Sequence, residues 1–223
     1  MDTFRKHEIF EIETLDALHR GGLLDPLVFG GGTMLRLCHE LPRYSVDLDF
    51  WFVKDVEEDV FFKQVGRVLD SRHDITDAWI KHYTMVFELR SSQYPRRLKI
   101  EIRRKMQDCD FQEKIAFSRF STRQVILKAH TLEQAMKNKV AAFLDRREIR
   151  DAFDMEFLLR RGVPLPAMDA DALKRLRQGL GRFVERDFAV TLGSVLESDM
   201  RAYYVASKFA FLEEKITVAL AGG

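Results

Sequence analysis

Cysteine is scarce in this chain: two residues in 223, Cys38 and Cys109. They form no CxxC pair, and Cys38 falls within an apolar helical pattern. The reading is two buried or semi-buried thiols in a reducing compartment rather than a disulfide framework or a zinc centre. No apolar run approaches ~18 residues, so no spanning helix is expected. The N-terminus, MDTFRKHEIFEIE, is too charged for a signal peptide, and a cytoplasmic protein with no membrane partner is expected. Net charge is nearly absent too: 36 basic against 35 acidic residues leave +1. That balance is silent about nucleic acid, because a basic face can hide in a neutral total. None of the six histidines has metal-ligand spacing or pairs with a serine or cysteine as a hydrolase triad would. Repeats, low-complexity tracts and long linkers are also missing.

What is present is a globular composition, 46% hydrophobic and 32% charged, with 18 phenylalanines. Apolar spacing predicts a helix over residues 4–20, a short strand over 26–29 and a helix over 33–41. Strict alternation over 45–53 predicts a strand with Val46, Leu48 and Phe50 on one face and Asp47 and Asp49 on the other. A helix over 55–70 follows, then short strands at 78–80, 83–89 and 98–102, the last two joined by the Tyr94-Pro95-Arg96-Arg97 turn as an antiparallel pair. After one more short strand at 125–127 the chain reads as helical. Thr131 and Gln134 suggest a capping box for a helix reaching about residue 144, followed by helices over 148–159, 169–182 and 185–219, the last interrupted near Gly193. The organisation is a mixed α/β part, residues 1–130, and a helical part, residues 131–223.

Two features within residues 29–52 could carry chemistry. Gly30-Gly31-Gly32-Thr33 lies between a strand and a helix, where unpaired backbone N–H groups and the helix dipole favour a phosphate. It is neither a Walker A loop nor a GxGxxG fingerprint. A tight turn alone would also explain it. Asp47 and Asp49 share a strand face, where unit charges ~4 Å apart repel by about 4 kcal/mol at a surface-like dielectric. Solvent, an arginine such as Arg43, or a divalent cation could relieve this. Glu101, on the strand at 98–102, could supply a third carboxylate, with Glu88 as its rival. Together these are the parts that metal-assisted nucleotidyl transfer needs. A basic patch of Arg96, Arg97, Arg103, Arg104 and Lys105, extended by Arg119, Arg123 and Lys128, could hold an RNA backbone. A solvated charged surface is the plainer reading.

The stretch FGGGTMLRLCHELPRYSVDLDF resembles the first motif of the AbiEii/AbiGii-type nucleotidyltransferase toxins, close to GGTaL…R.SeDlDf. KVAAFLDRREIRDAFDMEFL, residues 139–158, is similar to a later motif of that family, a lysine, an arginine seven residues on, then RD..D. LKIEI at 98–102 resembles the strand between them. The resemblance covers roughly residues 7–160. It implies an α+β fold: a nucleotidyltransferase-like mixed sheet flanked by helices, then a C-terminal helical region that completes the active site.

The resemblance further implies Mg2+ (or Mn2+) on Asp47 and Asp49, with Glu101 as a third ligand. Gly31, Gly32 and Thr33 would hold the triphosphate of an NTP, and Arg43 and Ser45 would be further nucleotide contacts. Lys139 and Asp154 would complete the catalytic set. Family members are toxins of toxin–antitoxin or phage-abortive systems, and the related MenT toxins add nucleotides to the 3′ end of tRNA. An RNA acceptor, most of all tRNA, and an AbiEi-type antitoxin are the implied partners. Two alternatives stay open from the residues: a non-catalytic nucleotide- or partner-binding module, and transfer of a nucleotide to a protein.

Overall fold

The structure is a computed structural model describing residues 2–106 and 108–222. Its contacts divide the chain into two compact units, residues 1–40 with 44–131, and residues 41–43 with 132–223.

The first unit is a seven-stranded mixed sheet packed by three helices. Helix α1 (Asp2–Arg20) leads to β1 (Leu27–Gly30), α2 (Gly31–His39), β2 (Asp47–Phe52) and α3 (Glu58–Asp70). Five strands follow: β3 (Asp74–Ile80), β4 (Thr84–Arg90), β5 (Leu98–Arg103), β6 (Phe111–Phe117) and β7 (Gln124–His130). The strand order is β3-β4-β5-β2-β1-β7-β6. Only the β2–β5 and β1–β7 pairs are parallel; the other neighbours are antiparallel. Leu48, Phe50, Phe87, Leu98 and Ile100 are fully buried on one face. Helix α3 covers part of that face, stacking Phe62 on Phe87 at 4.5 Å and setting Phe61 edge-on to Phe52 at 5.2 Å. Alternation then places Asp47 and Asp49 on the opposite face.

Three strands depart from the sequence expectation: β6 has no counterpart in it, and β3 and β7 are each seven residues long rather than three. β3 and β6 lie at sheet edges, where polar and exposed side chains replace the buried alternation that marks a central strand.

The second unit contains α4 (Leu132–Arg146), α5 (Ile149–Arg160), α6 (Ala170–Leu180), α7 (Ser198–Ser207) and α8 (Ala210–Ala221). Before α7 the chain makes a π-helical turn, Asp187–Leu192, and a 3-10 turn, Gly193–Val195. The interruption expected near Gly193 is present, and a second break in the 185–219 helix falls at Lys208, which adopts φ 52°. Its aromatic residues form this unit's core: Phe188 and Phe209 approach to 5.2 Å, Tyr204 and Phe209 to 5.6 Å, and Phe153 and Tyr204 to 4.9 Å. Glu156, wholly buried, ties the helices together by accepting from Arg160 Nη2, the Tyr204 hydroxyl and the Leu212 N–H.

Candidate active site

The glycine turn and the aspartate strand meet in the first unit. β1 ends at Gly30, which is paired with Asp49 of β2. Helix α2 begins at the next residue, Gly31, at φ 73°. A Cβ on Gly31 would stand 2.2 Å from Asp49 Oδ2. Glycine is therefore required twice over, by the left-handed backbone and by the carboxylate lying against it. The N-cap of α2, Gly30, supplies no side-chain cap to the helix's first N–H groups. Thr33 is fully buried, and its hydroxyl has no hydrogen-bond partner among the described residues. A buried unsatisfied hydroxyl costs about 1–3 kcal/mol, a cost that a ligand oxygen would relieve.

Asp47 and Asp49 are half-buried. In parallel register Asp47 faces Lys99 and Asp49 faces Glu101. Lys99 is ion-paired with Glu101. Burial works against the Lys99 ammonium, but its hydrogen bond to Glu101 and the nearby charges of Glu101, Asp47 and Asp49 outweigh that and raise its pKa. A cation thus already sits among the three carboxylates. Glu88, the rival, is engaged by Thr76 Oγ1 and Arg97 Nη1.

Helix α1 supports this strand through residues that sequence reasoning passed over. The His7 ring donates from Nε2 to the Val46 carbonyl at 3.0 Å, one residue before Asp47. Glu11 lies 3.5 Å from the same nitrogen and is fully buried. Burial raises its pKa well above the usual carboxylate range, reinforced by the charges of Glu8 and Asp47. Ser45 is half-buried in the loop leading into β2.

In the second unit Arg43, Lys139 and Asp154 form one buried network. Arg43 donates from Nε and Nη2 to the two oxygens of Asp154, each at 2.6 Å. Lys139 Nζ lies 2.7 Å from Asp154 Oδ2 and 3.0 Å from Asp151 Oδ1. Arg146 also binds Asp151, at 2.8 Å. Burial opposes the Asp154 charge, yet Arg43 and Lys139 prevail and hold its pKa low. Arg150, four residues before Asp154 on α5, pairs with Glu148 at 2.9 Å. With both oxygens engaged, Asp154 is placed to position Arg43 and Lys139.

The family described as nucleotidyl transferase AbiEii toxin, type IV toxin–antitoxin system, matches residues 13–217. The chain belongs to this AbiEii family. It is accordingly a nucleotidyltransferase toxin, and its system implies an antitoxin and a nucleotide substrate. Three solved structures share the fold. A candidate nucleotidyltransferase from Helicobacter pylori is 19% identical, with a TM-score of 0.58 over 95% of this chain and 97% of that one. The H. pylori protein JHP933 is 18% identical, with a TM-score of 0.53 over 94% and 93%. The MenT4 nucleotidyltransferase toxin of Mycobacterium tuberculosis is 18% identical, with a TM-score of 0.51 over 92% and 85%. No curated protein matches the chain at a significant level.

For the AbiEii assignment, the donor chemistry of Asp47 and Asp49 fits magnesium. Among the described residues no three acidic, histidine or cysteine side chains form a ready metal cage. Magnesium does not need one, since one or two carboxylates, substrate phosphates and water suffice. The basic patch is not continuous. Arg97 binds Glu88, Arg104 binds Glu58, Arg123 binds Asp16 and Lys128 binds Asp25. Arg96 lies over the Phe4 ring. Arg96–Arg97 and Arg103–Lys105 stand at opposite ends of β5, about 20 Å apart. Among the described residues, no helix is long and apolar enough to cross a membrane.

Proposed function

We propose that this AbiEii-family toxin is a magnesium-dependent transferase that moves a nucleotide from an NTP to an RNA 3′ end, that of tRNA foremost, with manganese able to replace magnesium. The contact of Gly31 with Asp49 carries the reading, because it sets a helix N-terminus suited to phosphate beside a carboxylate pair suited to a divalent cation. Asp47 and Asp49 would hold the metal, which would neutralise the triphosphate and stabilise the oxygens entering and leaving phosphorus. The Gly31, Gly32 and Thr33 turn would bind the phosphates.

The acceptor hydroxyl attacks the α-phosphorus and releases its proton to solvent, a new O–P bond forms, the bond to the β-phosphate bridging oxygen breaks, and pyrophosphate leaves with the electron pair. Glu101, with Lys99, would adjust the charge beside Asp49. Lys139 is proposed as a phosphate-binding lysine positioned by Asp154, a role resting on the family resemblance and on their ion pair. The cognate antitoxin would be of AbiEi type, acting in the cytoplasm.

The test is incubation of the protein with each labelled NTP and total RNA, with Mg2+ or Mn2+. A labelled tRNA-sized product, lost in Asp49→Ala that still unfolds cooperatively, is expected. No transfer to any RNA would refute the reading.

A further inference from the structure

In-line displacement requires the attacking oxygen and the departing pyrophosphate to lie on opposite sides of phosphorus. The glycine turn stands on the β1 side of Asp49, and β5 lies on the other side of β2. Phosphates at that turn leave the Asp49-bearing face of β5, β4 and β3 for the acceptor; on it Val86 is buried, and Glu101 and Trp79 are half-buried. This deepens the transfer reading above and rests on it for the direction of approach.

That face has a composition of its own. Register aligns Asp49, Glu101, Val86 and Trp79 in one row across the four strands. Trp79 is thus three strand spacings, about 14 Å, from Asp49. It is half-buried, with the Lys81 ammonium 4.8 Å from its ring centre. Its indole Nε1 is buried and has no hydrogen-bond partner among the described residues. In the next row the exposed Arg103 lies over the Trp51 ring at 5.4 Å. Tyr83, beyond Lys81 in the turn, is 73% exposed. The carboxylates on the face are Glu101, paired with Lys99, and Glu88, paired with Arg97, with Asp77 beside it. The end of the face that bears Lys81 and Arg103 is cationic.

We propose that this face is a platform for the single-stranded 3′ end of an RNA acceptor, with Trp79 stacking a base while Lys81 and Arg103 hold backbone phosphates. Aromatic rings interleaved with cations on an open sheet are the usual means of holding a single strand without reading its sequence. A base a few nucleotides from the reacting end reaches Trp79 when the terminal hydroxyl is at Asp49.

The experiment uses the full chain without NTP or metal, and a fluorescein-labelled single-stranded RNA 12-mer. In Trp51→Phe, Trp79 is the sole tryptophan of the two in the chain. Its fluorescence should be quenched by the RNA. Trp79→Ala should weaken RNA binding at least about fivefold. Lys81→Ala with Arg103→Ala should flatten the salt dependence of binding by about 1.4 in log–log slope. Because Lys81 and Arg103 are exposed, that pair tests the platform even if Trp79→Ala unfolds. RNA binding that leaves Trp79 unquenched and is unchanged in the lysine–arginine variant overturns the platform. So does a protein that labels only polypeptide and binds no RNA. RNA binding with quenching but without nucleotide transfer leaves the platform standing and removes the catalytic reading.

Discussion

Asp154→Asn tests whether Asp154 works through its partners. The carboxylate has no solvent exposure, Arg43 is 3% exposed, and the two are joined by a bidentate pair at 2.6 Å with Lys139 at 2.7 Å. The amide is nearly isosteric, so little packing is lost. What remains is the buried Arg43 without the carboxylate that compensated it, while Lys139 keeps Asp151 at 3.0 Å. Breaking a buried pair from one side typically costs 3–5 kcal/mol, so a loss of about 3–5 kcal/mol is expected here. For a chain of this length that is a fall in Tm of roughly 6–20 °C. The cost also has a pH signature. Arg43 and Lys139 lower the Asp154 pKa in the folded state. Its contribution is therefore full above the ordinary carboxyl value of 3.8 and is lost as pH falls through the lower folded value. Thermal unfolding of wild type and Asp154→Asn from pH 7 downward should show a gap that narrows on acidification. A gap under about 1 kcal/mol at pH 7, or one independent of pH, would refute the reasoning.

Gly31→Ala should abolish nucleotide transfer and lower Tm by a few degrees: the left-handed backbone costs about 1–2 kcal/mol, and the new Cβ must displace Asp49. Burial lowers the His130 pKa to about 4. The unfolded chain takes up that proton first as pH falls, so stability drops between about 6.5 and 4 by on the order of 3 kcal/mol, and His130→Asn should flatten that part of a stability–pH curve. Glu11 behaves oppositely. Its raised folded pKa means that stability is lost as pH rises from about 4.5 up to that folded value, so Glu11→Gln should match wild type in acid and exceed its Tm as pH rises. Equal Tm values across that range would show that Glu11 is not held protonated.

Central strands were legible because burial on one side imposes a period of two. DLDFWF and LKIEI alternate, and the structure pairs them in parallel. The edges were not. In β6, FQEKIAF, it is Ala116 that is fully buried, while Phe111, Ile115 and Phe117 are 44%, 50% and 38% exposed. The hydrophobic pattern there points away from the core, so it gives no sign of a strand. β3 opens on Asp74, Thr76 and Asp77, which hide half its length behind turn-like composition. The start of α2 was hidden for another reason: Gly31 and Gly32 are poor helix formers, and the helix begins on them because Asp49 leaves no room for a side chain at Gly31.

The candidate site divides along the same physical line. Backbone parity puts Asp47 and Asp49 on one face, so their association could be read from two letters in the sequence. Register adds Glu101 opposite Asp49 because a parallel neighbour repeats the same parity. Counter-charges obey no such rule. Arg150 stands four residues before Asp154, the spacing of a helix-surface pair worth a few tenths of a kcal/mol, yet it bonds Glu148. A fully buried carboxylate needs more than one donor to outweigh its desolvation, and it takes Lys139 and the distant Arg43, 111 residues away. His7 was hidden likewise, a polar residue in a charged helical segment that is nevertheless fully buried, with its ring bonded to the carbonyl before Asp47. A carboxylate's face follows from its own strand. The cation that answers it is chosen by packing, where a second and third donor are worth more than sequence proximity.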